Sequence, residues 1–347
     1  MTMPASSPNS ANGLPGQLSE PPLENVTGKA AFITGGSSGI GLGIAQACAE
    51  AGMRVVLTFK TPANRDRAME ILGNPAVHAI ALDVTDRDAM SRAADEAARL
   101  VGDIHLLCSN AGIGIRTRIV DASFDDWDFA TAVNIGGMIN AVQTFLPRML
   151  RHGEPSHIVG TSSMSGLFHG GTAGIYTTTK FAVVGMMEAL RTDLMSTNIG
   201  VSVLCPGFVE SNIGQWHRNL PSTFSRPSPE PQRPPGTALQ GAGMSPLECG
   251  RKVLAGIRRN DMYILTHREF EGGVADRHDA IAACFKRQRG RIPKARVRAE
   301  SFVLRGRAYA LEKDRGSKAD RSSNGETRER PARRKKRGRD RRGGGTE

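Results

Sequence analysis

Short, nearly continuous apolar runs alternate with segments of helical period along most of this chain. Lys29–Thr34, Met53–Phe59, Val77–Leu82, Ile104–Ser109, Ile158–Ser163, Gly200–Leu204 and Met262–Leu265 predict strands. They lack the alternation of a half-exposed sheet, so both of their faces should be covered. Helices are predicted at Leu42–Ala51, Asn64–Leu72, Asp88–Val101, Ile175–Leu190 and Pro246–Asn260, with Thr85 or Asp86 available to cap the third. Phe124–Arg151 predicts a longer helix interrupted around Gly136-Gly137. Strand regularly followed by helix predicts an α/β fold, a doubly wound parallel sheet with right-handed crossovers.

The flanks change the picture more than the centre does. Residues 1–25 are rich in Pro, Ser, Asn and Gly and predict a disordered leader, which leaves 26–285 as a single folded domain. Residues 211–244 form a long Pro-rich loop bearing Ile213, Trp216, Leu220 and Phe224, the pattern of a substrate loop or lid. The net charge of +12 is misleading, because half of the 46 Lys and Arg residues lie beyond residue 285. Residues 286–347 therefore predict a basic disordered tail, and the rest of the chain is slightly acidic. Such a tail can touch nucleic acid nonspecifically, but only Phe302 and Tyr309 could stack on bases, so sequence-specific recognition is not expected. The five cysteines are scattered without metal-ligand spacing and predict apolar packing in a reducing cytoplasm, with no metal site. No run approaches the roughly 18 apolar residues that span a bilayer, so no membrane partner is expected.

Candidate chemistry collects at the carboxyl ends of the predicted strands, where wound sheets bind ligands. The turn holding Gly35, Ser37, Ser38, Gly39, Ile40 and Gly41 lies between the first strand and a helix N-terminus, which suits a pyrophosphate. An acidic residue about 20 positions further on would mark NAD. Here the second strand instead ends Phe59-Lys60. Lys60, helped by Ser37 and Arg65, suits a 2′-phosphate, which favours NADP over NAD. Asp83-Val84 and Asn110-Ala111-Gly112 end the third and fourth strands, and Ser163 ends the fifth. Tyr176 and Lys180 share a helix face at i and i+4, so the lysine should pull the phenol's pKa down and make Tyr176 a general acid/base.

With Thr34-Gly35-x-x-x-Gly39-x-Gly41, Asn110-Ala111-Gly112, Asn134, Ser163, Tyr176-x-x-x-Lys180 and Pro206-Gly207 in this order, the chain resembles the short-chain dehydrogenase/reductase family over about residues 26–285. The resemblance implies a Rossmann-like sheet and hydride transfer between a nicotinamide and a ketone or secondary alcohol. It implies pyrophosphate binding at the glycine turn and adenine binding at Asp83 and Val84. Asn110, Ala111 and Gly112 would lie by the nicotinamide ribose, and Pro206, Gly207, Val209 and Ser211 by the carboxamide. Tyr176 would exchange the proton and Ser163 would bind the substrate oxygen. Lys180 would lower the phenol's pKa and hold the ribose, and Asn134 would hold a water linking it to solvent. A homodimer or homotetramer would follow by analogy. Phe124-Asp125-Asp126-Trp127-Asp128, Leu146-Pro147-Arg148-Met149 and Met262-Tyr263-Ile264-Leu265 resemble a bacterial branch acting on bulky, often aromatic, secondary alcohols. Two rivals remain open at this point: a dinucleotide-sensing binding protein without turnover, and an enzyme body whose basic tail is the primary feature.

Overall fold

The computed structural model describes residues 22–171, 173–214, 243–287 and 309–314. Seven parallel strands form one sheet in the order β3-β2-β1-β4-β5-β6-β7. They are β1 (Ala30–Ile33), β2 (Arg54–Phe59), β3 (Val77–Ala81), β4 (Leu106–Ser109), β5 (Ser156–Thr161), β6 (Ile199–Cys205) and β7 (Tyr263–Leu265). The winding direction reverses between β1 and β4, which opens the crevice where such sheets take ligands.

The continuous apolar strands are covered on both faces, as their composition requires. In β1, Ala30 and Phe32 join one core cluster while Ala31 and Ile33 join the other. The first cluster is closed by α3 (Arg87–Val101), α5 (Gly137–His152) and α6 (Gly174–Asp193), the second by α1 (Gly39–Glu50) and α7 (Pro246–Arg259). Helix α2 (Pro62–Leu72) buries Ala68 and packs Met69 and Leu72 against that second core. Asp86 caps α3 by accepting from the Ala89 N–H at 2.9 Å.

The α1–α7 contact is backbone against backbone. A Cβ on Gly250 would lie 2.0 Å from the Gly43 carbonyl oxygen, and one on Gly43 would lie 1.8 Å from that of Pro246. Only glycine permits this spacing, so the helix that begins at the glycine turn is held rigidly against α7.

The flanks differ from the sequence expectation. Leu23 and Val26 are buried in the α1-side core, so order begins inside the predicted leader; residues 1–21 lie outside the described residues. Two apolar side chains in a polar stretch carry too little periodic signal to reveal this. Helix α8 (Glu271–Phe285) follows β7 and buries none of its residues, so no amphipathic stripe announced it. Within the predicted basic tail, residues 309–314 are helical, and Tyr309 donates to Glu188 of α6 at 2.6 Å. The rest of the tail beyond 287, and residues 215–242 of the predicted lid, lie outside the described residues.

Candidate active site

The glycine turn is built to leave donors open. Gly35 and Gly39 have φ of +63° and +50°, a region that side-chain-bearing residues rarely enter. Ser38 sits at the N-cap of α1 in extended conformation and makes no side-chain capping bond. The first N–H groups of α1 therefore face outward with the positive end of the helix dipole. Ser37 is buried in the turn, and Ile40 packs partly against the α1-side core. A Cβ on Gly41 would fall 2.3 Å from the Gly35 oxygen, and one on Gly39 would fall 2.9 Å from the Ser211 Cβ. The second contact brings the 206–211 stretch against the turn. This cradle of open donors, too tight for any Cβ, fits the pyrophosphate of a dinucleotide.

Two threonines within the predicted strands tie the turn to its neighbours. Thr34 Oγ1 accepts from the N–H groups of Asn110 at 2.9 Å and Ala111 at 3.0 Å, while Thr58 Oγ1 accepts from the Gly35 N–H at 3.0 Å. Asn110 Nδ2 donates to the Thr34 carbonyl, and its Oδ1 accepts from Thr161 on β5. Asn110 is thus a crosspiece joining the carboxyl ends of β1, β4 and β5.

At the predicted adenine end, Asp83 pairs with Lys60 at 2.9 Å and accepts from Thr85 N and Oγ1. Burial would raise the Asp83 pKa, but the Thr85 bonds and the Lys60 ammonium outweigh it and hold the carboxyl below its usual range. Val84 is buried against Gly137, and its carbonyl accepts from Asn140 Nδ2. Arg65 stacks over Phe59 at 5.4 Å and pairs with Asp66.

Asn134 sits where the predicted long helix is broken. The segment is α4 (Phe124–Thr131), a π-helical turn at Ala132–Gly136, and then α5. Such turns re-aim a side chain at functional sites. Asn134 Oδ1 accepts from the Ile113 N–H at 2.9 Å, and its Nδ2 donates to the Ile113 carbonyl and to Thr179 Oγ1, each at 3.0 Å. It pins the segment after Asn110-Ala111-Gly112 to α6. A Cβ on Gly112 would lie 3.1 Å from Asn134 Oδ1 and 3.4 Å from Lys180 Nζ, so glycine lets both polar groups close in.

Ser163 lies just beyond β5, its Oγ accepting from the Ser165 N–H at 3.1 Å, and its hydroxyl is close enough to Tyr176 of α6 to lower the phenol's pKa. Lys180 is buried one turn on, its Nζ 5.6 Å from the Tyr176 ring centroid and donating to the Thr161 carbonyl at 2.9 Å. The four predicted catalytic residues therefore converge on one spot. Their electrostatics differ from expectation. Burial pushes the Tyr176 pKa above its ordinary value, countered in part by the Ser163 hydroxyl and the Arg116 guanidinium, and not by Lys180. The physical reason is aim: the ammonium points at a backbone carbonyl, and burial lowers its own pKa to about 8. Arg116, which no motif singles out, is the cation that acts on the phenol.

Pro206 and Gly207 close β6 onto this spot. The Pro206 carbonyl accepts from Met164 N, and Gly207 N donates to His267 Nδ1 at 3.2 Å. Val209 bridges to Met244. Phe270 gathers Phe168, Phe208 and His267 around itself at centroid distances of 5.8–6.1 Å. Phe168 follows the Ser163 turn and Phe208 follows Gly207, so an aromatic wall stands beside the serine and tyrosine.

A family model described as short chain dehydrogenase matches residues 29–219. The chain belongs to the short-chain dehydrogenase family. Like other members of this family, it is an NAD(P)-dependent dehydrogenase/reductase. It is 33% identical over 292 residues to a C alpha-dehydrogenase of Sphingobium sp., covering 82% of this chain and 95% of that protein. A short-chain dehydrogenase/reductase from Burkholderia phymatum, solved in complex with NAD, is 31% identical with a TM-score of 0.70, over 78% of this chain and 99% of that one. A short-chain dehydrogenase structure from Novosphingobium aromaticivorans is 31% identical with a TM-score of 0.69, over 84% and 99%. Among the described residues no helix is long and apolar enough to cross a membrane.

Proposed function

We propose that this short-chain dehydrogenase interconverts a secondary alcohol and a ketone, with Tyr176 as general acid/base. The observation that carries the reading is the convergence of Ser163, Tyr176 and Lys180, with the Lys180 ammonium 5.6 Å from the phenol ring, at the strand ends beside the glycine turn. The nicotinamide cofactor supplies the hydride acceptor or donor. In the oxidative direction the alcohol carbon gives up its hydride to the nicotinamide and the hydroxyl proton passes to Tyr176 in its phenolate form, which becomes the phenol; reduction reverses both transfers. Ser163 donates to the substrate oxygen and steadies the charge that develops there. Lys180, one helical turn on, would hold the cofactor ribose, and Asn134 holds the loop and α6 in register. Tyr176→Phe should lower kcat about 10²- to 10⁴-fold while cofactor binding survives. Near-normal turnover in a stopped assay of cofactor absorbance overturns the assignment.

NADP is the proposed cofactor, since no carboxylate follows Phe59 and two cations, Lys60 and Arg65, stand near the end of β2. Their present pairs with Asp83 and Asp66 are exposed and weak, so a phosphate can displace them. A lower KM for NAD than for NADP refutes this. The aromatic wall of Phe168, Phe208 and Phe270 supports a bulky, ring-bearing substrate, consistent with the relative named C alpha-dehydrogenase. Exposed Phe124, Ile139 and Leu150 on α4 and α5 support a homodimer or homotetramer through those helices, which light scattering on the purified protein tests. All five cysteines are free and four are buried, which supports a reducing cytoplasm.

A further inference from the structure

Arg116 lies on the loop leaving β4, and that loop is fastened at several points around it. Ile113 is bonded twice by the Asn134 side chain, Gly114 packs closely against Ile213, and the Thr117 carbonyl accepts from the Ile175 N–H, next to Tyr176. The backbone of Arg116 is therefore held beside the start of the helix that carries Tyr176. The residue is half-buried, yet its side chain makes no ion pair or hydrogen bond among the described residues. Arg118, two residues on, does have a carboxylate, Asp121 at 2.6 Å. A half-buried arginine left without an acceptor is costly unless something else supplies one, and its planar fork matches a carboxylate. Its charge is also felt at the reacting group, since it is the cation that holds down the Tyr176 pKa against burial. The neighbouring wall is aromatic: Phe168, Phe208 and Phe270.

We infer that Arg116 is the receptor for a carboxylate on the substrate, so that the preferred ketone or alcohol is an anionic one with a ring-bearing body. This rests on the oxidoreductase reading above and adds a specificity determinant to it. The carboxylate takes the two outward N–H groups of the guanidinium, the ring lies along the aromatic wall, and the carbonyl oxygen is left to Ser163 and Tyr176.

The test uses the full chain with its cofactor and a matched pair of aryl ketones, 4-acetylbenzoate and its methyl ester, with benzoate as a competitive inhibitor. The wild type should prefer the acid. In Arg116→Gln the acid-to-ester ratio of kcat/KM should fall about 10- to 100-fold, mainly through KM, and benzoate inhibition should weaken by a similar factor. Arg116→Lys should keep part of both, because it retains the charge without the fork. An equal loss on acid and ester, accompanied by a shifted pH profile for both, assigns Arg116 to tuning Tyr176 instead and overturns the proposal. A weaker cofactor Kd with an unchanged ratio places it on the dinucleotide and also overturns it. Turnover of the ester in preference to the acid by the wild type refutes the anion receptor while leaving the oxidoreductase reading intact. Turnover of neither, nor of any alcohol or ketone in a wider panel, removes the oxidoreductase reading itself.

Discussion

Gly41→Ala tests the cradle directly, because the obstruction is geometric. The new Cβ would lie 2.3 Å from the Gly35 carbonyl oxygen and 2.6 Å from Asn110 Nδ2. Ordinary contact needs roughly 3.5 Å, so both neighbours must retreat by about 1 Å. Neither yields cheaply. The Gly35 N–H is bonded to Thr58, its φ is +63°, and Asn110 is bonded to both Thr34 and Thr161. Overpacking of this kind costs about 1–3 kcal/mol. In a protein of this size that is a fall in Tm of roughly 2–10 °C. The functional effect is separate: displacing the turn removes at least one charge-assisted hydrogen bond to the pyrophosphate, about 1.5–3 kcal/mol, which weakens the cofactor Kd about 10- to 100-fold. Differential scanning calorimetry of the free protein and isothermal titration with NADP read the two effects independently. A variant that binds the dinucleotide within twofold of the wild type, at an unchanged Tm, would refute the placement of the pyrophosphate at this turn.

Further perturbations probe other parts of the same machinery. Lys180 has a folded-state pKa of about 8, below its ordinary 10.5, because of burial, so the native state releases its proton first and stability rises as pH climbs between those values. The gap corresponds to about 3 kcal/mol, so urea unfolding of wild type and Lys180→Met should diverge in favour of the wild type by about that much from pH 7.5 to 10.5; a pH-independent difference contradicts the buried ammonium. Gly250→Ala should force α7 off α1, where the added Cβ meets the Gly43 carbonyl at 2.0 Å, costing about 1–3 kcal/mol and weakening cofactor binding; an unaltered Kd would separate α7 from the site. Removing residues 288–347 should abolish salt-dependent retention on DNA while turnover persists; activity lost with the tail would tie it to the enzyme body.

The order of the elements and the ligand-binding edge were legible without a structure, because each depends on local pattern. A strand buried on both faces is an uninterrupted apolar run, and a cradle for phosphate is a glycine cluster between strand and helix. The spacing of Tyr176 and Lys180 follows from helix pitch alone, and the structure keeps both at the site. Interactions between residues far apart in sequence had no such signature. Leu23 is buried because the α1-side core reaches out to it, and Asn134 is aimed by a π turn whose sequence, Ala-Val-Asn-Ile-Gly, looks like any helix. Burial and aim also reversed one expectation: sharing a helix face put Lys180 near Tyr176, but its ammonium bonds the Thr161 carbonyl, and desolvation governs the phenol. Arg116 became visible only once three fastened loop positions had set it beside that phenol. Periodicity and turn chemistry are properties of neighbours along the chain, so sequence decides them; pKa, the direction of a charged side chain and the pairing of buried polar groups depend on what folding brings alongside, and only the tertiary structure decides those.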